Sequence, residues 1–137
     1  MTAPTATAAN LAEFIGRSQL AVIRMGLRGA EAPAFVEILD RVSGIVENMA
    51  KTYEQDGAND PIVALHYFKG GADWFITEKD AGYNGDATQA QAFGVADLYH
   101  DGGELGYISI AELIAHGVEL DLHFEPRPLS AVRAARR

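Results

Sequence analysis

The stretch that decides the fold is Ile62-Val-Ala-Leu-His-Tyr-Phe-Lys-Gly-Gly-Ala-Asp-Trp-Phe-Ile-Thr-Glu78. Ile62 to Phe68 is a short β-branched and aromatic run, Lys69-Gly70-Gly71 reads as a hairpin turn, and Asp73 to Glu78 reads as the returning strand. A turn this short cannot carry the crossover that parallel strands need, so the pair is antiparallel. A third strand is predicted from Ala92 to Tyr99. His100-Asp101-Gly102-Gly103 then turns it into a fourth, Leu105 to Ile108.

Downstream, Ser109 stands three residues before Glu112, a capping-box spacing that opens a short helix through Leu113 to His116, with Gly117 to close it. A last strand follows. Val118, Leu120, Leu122 and Phe124 alternate with Glu119, Asp121 and His123, which predicts one packed face and one facing solvent. Upstream, Glu54 to Pro61 is rich in turn formers and separates the strands from a region of helical period. There Leu11, Phe14, Ile15, Val22 and Met25 predict a helix over 10–28 that Gly26 or Gly29 can end. Phe35, Ile38, Leu39, Val42, Ile45, Val46 and Met49 predict a second, starting near Glu31 with Pro33 in its first turn. Helices followed by strands imply an α+β fold: an N-terminal helical hairpin packed on an antiparallel sheet of about five strands, with a short helix before the last strand. The 137 residues divide as a tail (1–9), the hairpin (10–53), the sheet unit (62–126) and a basic tail (127–137), all within one domain. The tail has the makings of a brief helix after Pro128, and its charge suits folding back on the acidic sheet, touching nucleic acid or solubilising a loose end.

Charge is lopsided. Between Gly70 and Pro126 there are eleven carboxylates and one basic side chain, Lys79, whereas the last eleven residues hold four arginines and no acid. The whole chain carries a formal charge of −8. A field of that sign repels nucleic acid and attracts basic proteins, so it argues against direct nucleic-acid binding and for a basic or nucleic-acid-binding protein as partner. The absence of cysteine excludes disulfides, thiolate metal sites and thiol nucleophiles. No apolar run approaches the roughly 20 residues that span a bilayer, and Met1 to Asn10 has neither a basic nor an apolar signal region. The expectation is a cytoplasmic protein with no membrane contact and no cofactor.

Several groups invite chemistry. On the predicted last strand Glu119, Asp121 and His123 share a face about 7 Å apart, a row suited to a divalent metal if a neighbour completes the ligand set. The ordinary alternative is a solvated outer face. The segment from Asp80 has oxygen side chains at the first and fifth positions of a calcium loop, but Gly82 at the third and Gln91 at the twelfth exclude that motif. It reads instead as an acidic connection from Lys79 to Ala90. Asp97, His100, Asp101 and Glu104 surround the second glycine turn, where residues that favour turns account for them without a catalytic role. No serine lies in a nucleophile elbow, and the glycine pairs lack the lysine and helix of a phosphate loop. His66, between Leu65 and Tyr67, reads as a satisfied, partly buried histidine. Trp74 and Phe75 point to opposite faces, one toward the helices and the other free for an interface.

The motifs Trp74-Phe-Ile-Thr-Glu-Lys-Asp80, Phe93-Gly-Val-Ala-Asp-Leu98, Glu104-Leu-Gly-Tyr-Ile-Ser-Ile-Ala-Glu-Leu113 and Glu119-Leu-Asp-Leu-His-Phe124 resemble an uncharacterised bacterial domain-of-unknown-function family, common on plasmids, conjugative elements and prophages. The resemblance covers Ile62 to Phe124 and leaves out the N-terminal helices and the arginine tail. It implies a genomic setting and a shared α+β unit, and no catalytic residues.

Charge and resemblance together predict a non-enzymatic accessory protein of a mobile element that binds a partner through an acidic surface. A DNA mimic or anti-defence protein is one form of it, with Asp80, Asp86, Asp101, Glu104, Glu119 and Asp121 as the partner-binding carboxylates. The alternatives are a metal-assisted hydrolase or nucleotide-processing enzyme built on Glu119, Asp121 and His123 with Asp97 or His100, and an oligomeric module joined through strand edges or the hairpin.

Overall fold

The computed structural model describes residues 11–82 and 89–136. Two helices open it: α1 (Arg17–Gly26) and α2 (Ala32–Asn48). The predicted first helix is shorter than its stripe of apolar residues. Leu11, Phe14 and Ile15 are buried in a separate turn, and Gly16 is extended (φ −62°, ψ 154°), so the helix restarts at Arg17. Gly26 is the last residue of α1, and its lack of a side chain lets α2 approach, since a Cβ there would lie 2.6 Å from the Phe35 ring.

Seven strands follow: β1 (Ile62–Val63), β2 (Leu65–Lys69), β3 (Ala72–Glu78), β4 (Ala92–Asp97), β5 (Glu104–Ile108), β6 (Glu119–Leu120) and β7 (Arg127–Pro128). Helix α3 (Ile110–Ala115) separates β5 from β6, and α4 (Leu129–Ala135) follows β7. The main sheet is antiparallel with order β5-β4-β3-β2-β6, and its register pairs His66 with Phe75, Asp73 with Asp97 and Phe93 with Tyr107. Both glycine turns form as the sequence predicts. Gly70 (φ 58°) turns β2 into β3, and Gly102 and Gly103 (φ 98° and 71°) turn β4 toward β5. The Ser109 hydroxyl accepts the Glu112 N–H at 3.1 Å, capping α3.

Helices α1 and α2 cover one face of the sheet, where Leu20, Ile23, Leu39, Val42 and Val46 meet Leu65, Tyr67, Ile76, Ala92, Ile108 and Leu120. The other face does not meet solvent throughout. The C-terminal segment crosses it, and Leu129 and Val132 of α4 cover Phe75, Val95, Val63 and Phe124. Two short strands hold that segment in place, since β7 pairs with β1. Asp60 accepts both the N–H and the hydroxyl of Ser130 at the start of α4, at 2.9 and 2.6 Å. Those bonds draw the Asp60 carboxyl below its usual range.

Two expectations need correction. The predicted strand from Val118 to Phe124 stops at Leu120. Asp121 Oδ1 accepts the His123 N–H at 3.0 Å, and Arg41 of α2 donates to the carbonyls of Leu122 and Phe124, so the chain turns and carries Phe124 to the far face. Phe75 is not exposed either: it is buried under α4, while Trp74 is half-buried on the helical side.

Candidate functional site

The face crossed by α4 carries two polar sites, one on each side of that helix. The first is a closed network. His66 on β2 lies between two carboxylates, with Nε2 2.7 Å from Asp73 and Nδ1 3.1 Å from Asp121, and its ring stacks on Phe75 at 4.8 Å. Both contacts are hydrogen bonds at once only when both ring nitrogens carry protons. Arg136, the residue that caps the C-terminus of α4, then joins Asp73 at 3.1 Å to Asp97 at 2.9 Å, and its guanidinium lies 5.2 Å from the centre of the Phe75 ring. Burial pushes the Asp97 carboxyl up, but the Arg136 hydrogen bond and charge, with the N–H groups of Asp101 and His100, outweigh it and hold the group below the usual carboxylate range.

Every member of this network is occupied by another. A general base needs a nitrogen lone pair free to face a substrate, and His66 offers none; its side-chain bonds go to Asp73 and Asp121 alone. The arrangement is therefore a lock that fastens α4 to the sheet. Beside it lies a cavity of about 380 Å³ floored by Phe75, Val95, Leu129 and Val132 and rimmed by Asp97, His100 and Arg136.

The second site is open. A β-bulge between Ile76 and Glu78 shifts the register so that Glu78 faces Phe93, which places it on the same side of the sheet as Phe75. Glu78 is only 5% exposed. It accepts one hydrogen bond, from the N–H of Tyr53 at 2.7 Å, and among the described residues no lysine or arginine lies within ion-pair distance. Burial, with the charges of Asp56 and Glu54, pushes its carboxyl above the usual range against the pull of that single N–H. The cleft over it has a volume of about 440 Å³, with Tyr53, Asp56, Leu105, Tyr107 and Arg133 among its walls. The Tyr53 and Tyr107 hydroxyls are 2.6 Å apart, a contact that pushes the Tyr107 phenol up. Tyr53 sits in the left-handed region at φ 77°, a conformation non-glycine residues adopt at a cost.

Leu105 and Tyr107 are 55% and 57% exposed and belong to β5, an edge strand of the main sheet. Among the described residues, no backbone hydrogen bond reaches Glu104 to Ile108 from the side away from β4. The opposite edge is sealed. There the side-chain amide of Gln19 donates to the Leu120 carbonyl at 2.7 Å and accepts its N–H at 3.0 Å, standing in for a further strand. Gln55 does the same for Ile62, with bonds of 3.1 and 2.7 Å, and donates also to the Thr77 carbonyl.

The carboxylates singled out from the sequence do not form one group. Asp80 is half-buried, and its oxygens accept the N–H groups of Gly82 and Gln91 at the base of a loop. Asp86 lies outside the described residues. Asp101 is exposed and accepts the Gly103 N–H. Glu104 and Glu119 are exposed on β5 and β6, the two opposite edges of the sheet. Asp121 belongs to the His66 network. The row of Glu119, Asp121 and His123 is lost because the chain turns after Leu120, and among the described residues no three His, Asp or Glu side chains gather where they could hold a metal ion. Lys79, the one base of the acidic segment, donates to the carbonyls of Val46 and Glu47 at the end of α2, and burial lowers the ammonium.

The residues that matter most here, Glu78 and Gln19, carry weak sequence signals. Strand alternation puts Glu78 with Trp74 and Ile76 on the helical side, and only the bulge moves it. A glutamine on an amphipathic helix such as α1 looks like any other surface residue.

No curated protein and no solved structure matches the chain significantly. No helix among the described residues is long and apolar enough to cross a membrane. One family model matches residues 39–137, a stretch wider than the four motifs because it takes in half of α2, the Arg136 lock and all of α4. The chain thus belongs to the family described as Protein of unknown function (DUF2958).

Proposed function

We propose that this chain is a non-enzymatic accessory protein that binds a basic partner protein through the cleft over Glu78. The reading rests on that one carboxylate. A buried carboxylate that no lysine or arginine pairs with among the described residues costs free energy in the isolated molecule, and a cation from a partner would supply the contact that Arg133, in the wall of the cleft, does not make. The surrounding walls suit such a guest: two tyrosines and a leucine offer apolar and aromatic contact, and Asp56 adds a second negative charge.

A peptide-sized cleft fits the observations better than a DNA-like array of phosphate mimics. Such an array needs carboxylates ranged along one surface, and Glu104 and Glu119 stand at opposite edges of the sheet. The enzymatic alternative draws no support from the His66 network, whose groups satisfy one another. The genomic setting implied by the sequence motifs, a plasmid, conjugative element or prophage, belongs to the same proposal.

The test is capture by the tagged chain at low salt, followed by reconstitution of the complex from purified components. A basic protein whose affinity falls steeply with salt, and falls again in Glu78→Gln, is the expected result. Binding indifferent to both salt and Glu78→Gln would overturn the reading.

A further inference from the structure

We propose that β5 is a docking strand, and that its occupant is an extended, basic segment of the partner, added edge-on to the sheet with its long cationic side chains directed toward the mouth of the Glu78 cleft. This rests on the reading above and specifies how the partner binds. Alternate N–H and C=O groups of an antiparallel edge strand point away from the sheet and offer a template for another strand. Natural proteins usually blunt such an edge with lysine, proline, a bulge or a very short strand. β5 has five residues, no lysine or proline, and an unbroken register with β4 from Glu104 to Ile108. Elsewhere this chain closes its edges with care, by Gln19 at Leu120 and Gln55 at Ile62. That β5 is left open among the described residues is thus a departure from the molecule's own practice.

The side chains specify the occupant. Leu105 and Tyr107 point from β5 toward the cleft and are more than half exposed, so every second residue of an added strand would pack beside them at the mouth of the cleft, three strand spacings out from the strand that carries Glu78. The charged groups at the cleft are Asp56, Glu78 and Arg133, with Glu54 near enough to act on Glu78. Glu104 stands at the start of the strand. This balance favours a cationic segment. It disfavours a second copy, because pairing two β5 strands would bring together two chains that each carry a charge of −8.

The experiment uses the full chain, labelled with ¹⁵N, and a blocked nonapeptide alternating valine and arginine. Amide exchange at alternate positions between Glu104 and Ile108 should slow by about tenfold or more when the peptide binds at low salt. The same peptide with proline at two of its valines, equal in charge but unable to add as a strand, should bind about tenfold more weakly. Leu105→Lys, at an exposed position that leaves the core untouched, should weaken the parent peptide while thermal melting stays unchanged. Equal binding of both peptides with no protection on β5 would overturn strand addition and leave a basic partner at the cleft intact. Failure of both peptides to bind in a manner dependent on Glu78 would overturn both readings. A dimer of the free chain with β5 already protected would make a second copy the occupant, and the proposal would fail.

Discussion

The His66 network and the Glu78 cleft lie on the same face of one sheet, on either side of α4, yet the molecule treats them oppositely. In the network, Asp73, Asp97 and Asp121 each find a cation or an imidazole, and the nearby β6 edge is closed by Gln19. In the cleft, a carboxylate about as buried as Asp97 is left with one backbone N–H, beside an edge strand that nothing among the described residues covers. The same chemistry has been finished in one place and left unfinished in the other. Groups that satisfy each other hold a fold together; groups left short of a partner are where a second molecule can contribute binding energy.

The closed side should break hardest. Arg136→Ala leaves Asp97 without its cation and Asp73 with His66 alone, the two carboxylates facing each other across β3 and β4, and removal of one partner from a largely buried ion pair costs roughly 3 kcal/mol. Denaturant unfolding monitored by circular dichroism should register that loss. Arg136→Lys should recover only part of it, because a single ammonium cannot bridge two carboxylates as the planar fork does. The pH dependence has a definite sign. Asp97 has its carboxyl lowered in the folded state, so its stabilisation is present above the unfolded value of about 3.9 and is lost as pH falls through the lower folded value. The wild-type chain should lose stability in acid over that window, and Arg136→Ala should lose less. An alanine variant as stable as wild type would mean that α4 is held by Leu129 and Val132 alone.

Opening the sealed edge should cost less. Gln19→Ala removes two hydrogen bonds to the backbone of Leu120, which among the described residues has no strand on that side, for an expected loss of about 1–2 kcal/mol. Hydrogen exchange reads the effect locally: the Leu120 amide should exchange faster, while amides of β3 and β4 change only with global stability. If Leu120 kept its protection in the variant, the contrast between a closed β6 and an open β5 would lose its basis.

Local signals in the sequence give the frame of the molecule, and non-local ones decide the site. Gly70, Gly102 and the Ser109–Glu112 spacing act within a few residues of themselves, so the hairpins and α3 are legible. The end of the last strand is not, because the carbonyls of Leu122 and Phe124 are taken by Arg41, more than 80 residues away, and alternation cannot anticipate that. The charge excess reaches the surface only in part: Asp101, Glu104, Glu112, Glu119 and Glu125 are exposed, and others are taken up within the fold. Arg136 comes back to neutralise Asp73 and Asp97, Lys79 is spent on the end of α2, and Asp80 is held by its own loop. Of the carboxylates chosen from sequence Asp97 and Asp121 enter the network, and none of those described lines the Glu78 cleft. The apolar pattern did predict helices on one face of the sheet; the second layer, α4, depends on a tail whose sequence is dominated by alanine and arginine rather than by a clear stripe.

The smallest effect tests the open side most directly, because its sign is unusual. Glu78→Gln keeps an oxygen to accept the Tyr53 N–H and removes only the charge. A carboxyl raised by burial makes the folded state prefer the protonated form. Below the unfolded value of about 4.3 nothing is lost, and as pH rises through the raised folded value the wild-type chain is progressively destabilised. The glutamine variant should therefore match wild type in acid and exceed it at pH 7, by on the order of 1 kcal/mol. At the same pH it should bind the valine–arginine peptide more weakly. A residue kept only for folding would lose stability when replaced; one kept for a partner is expected to trade stability for affinity, as active and binding sites do. Melting curves of Glu78→Gln across pH, set against its peptide affinity, separate the two. If the variant is less stable than wild type at pH 7, Glu78 belongs to the closed class with Asp97, and the cleft has no claim to a partner.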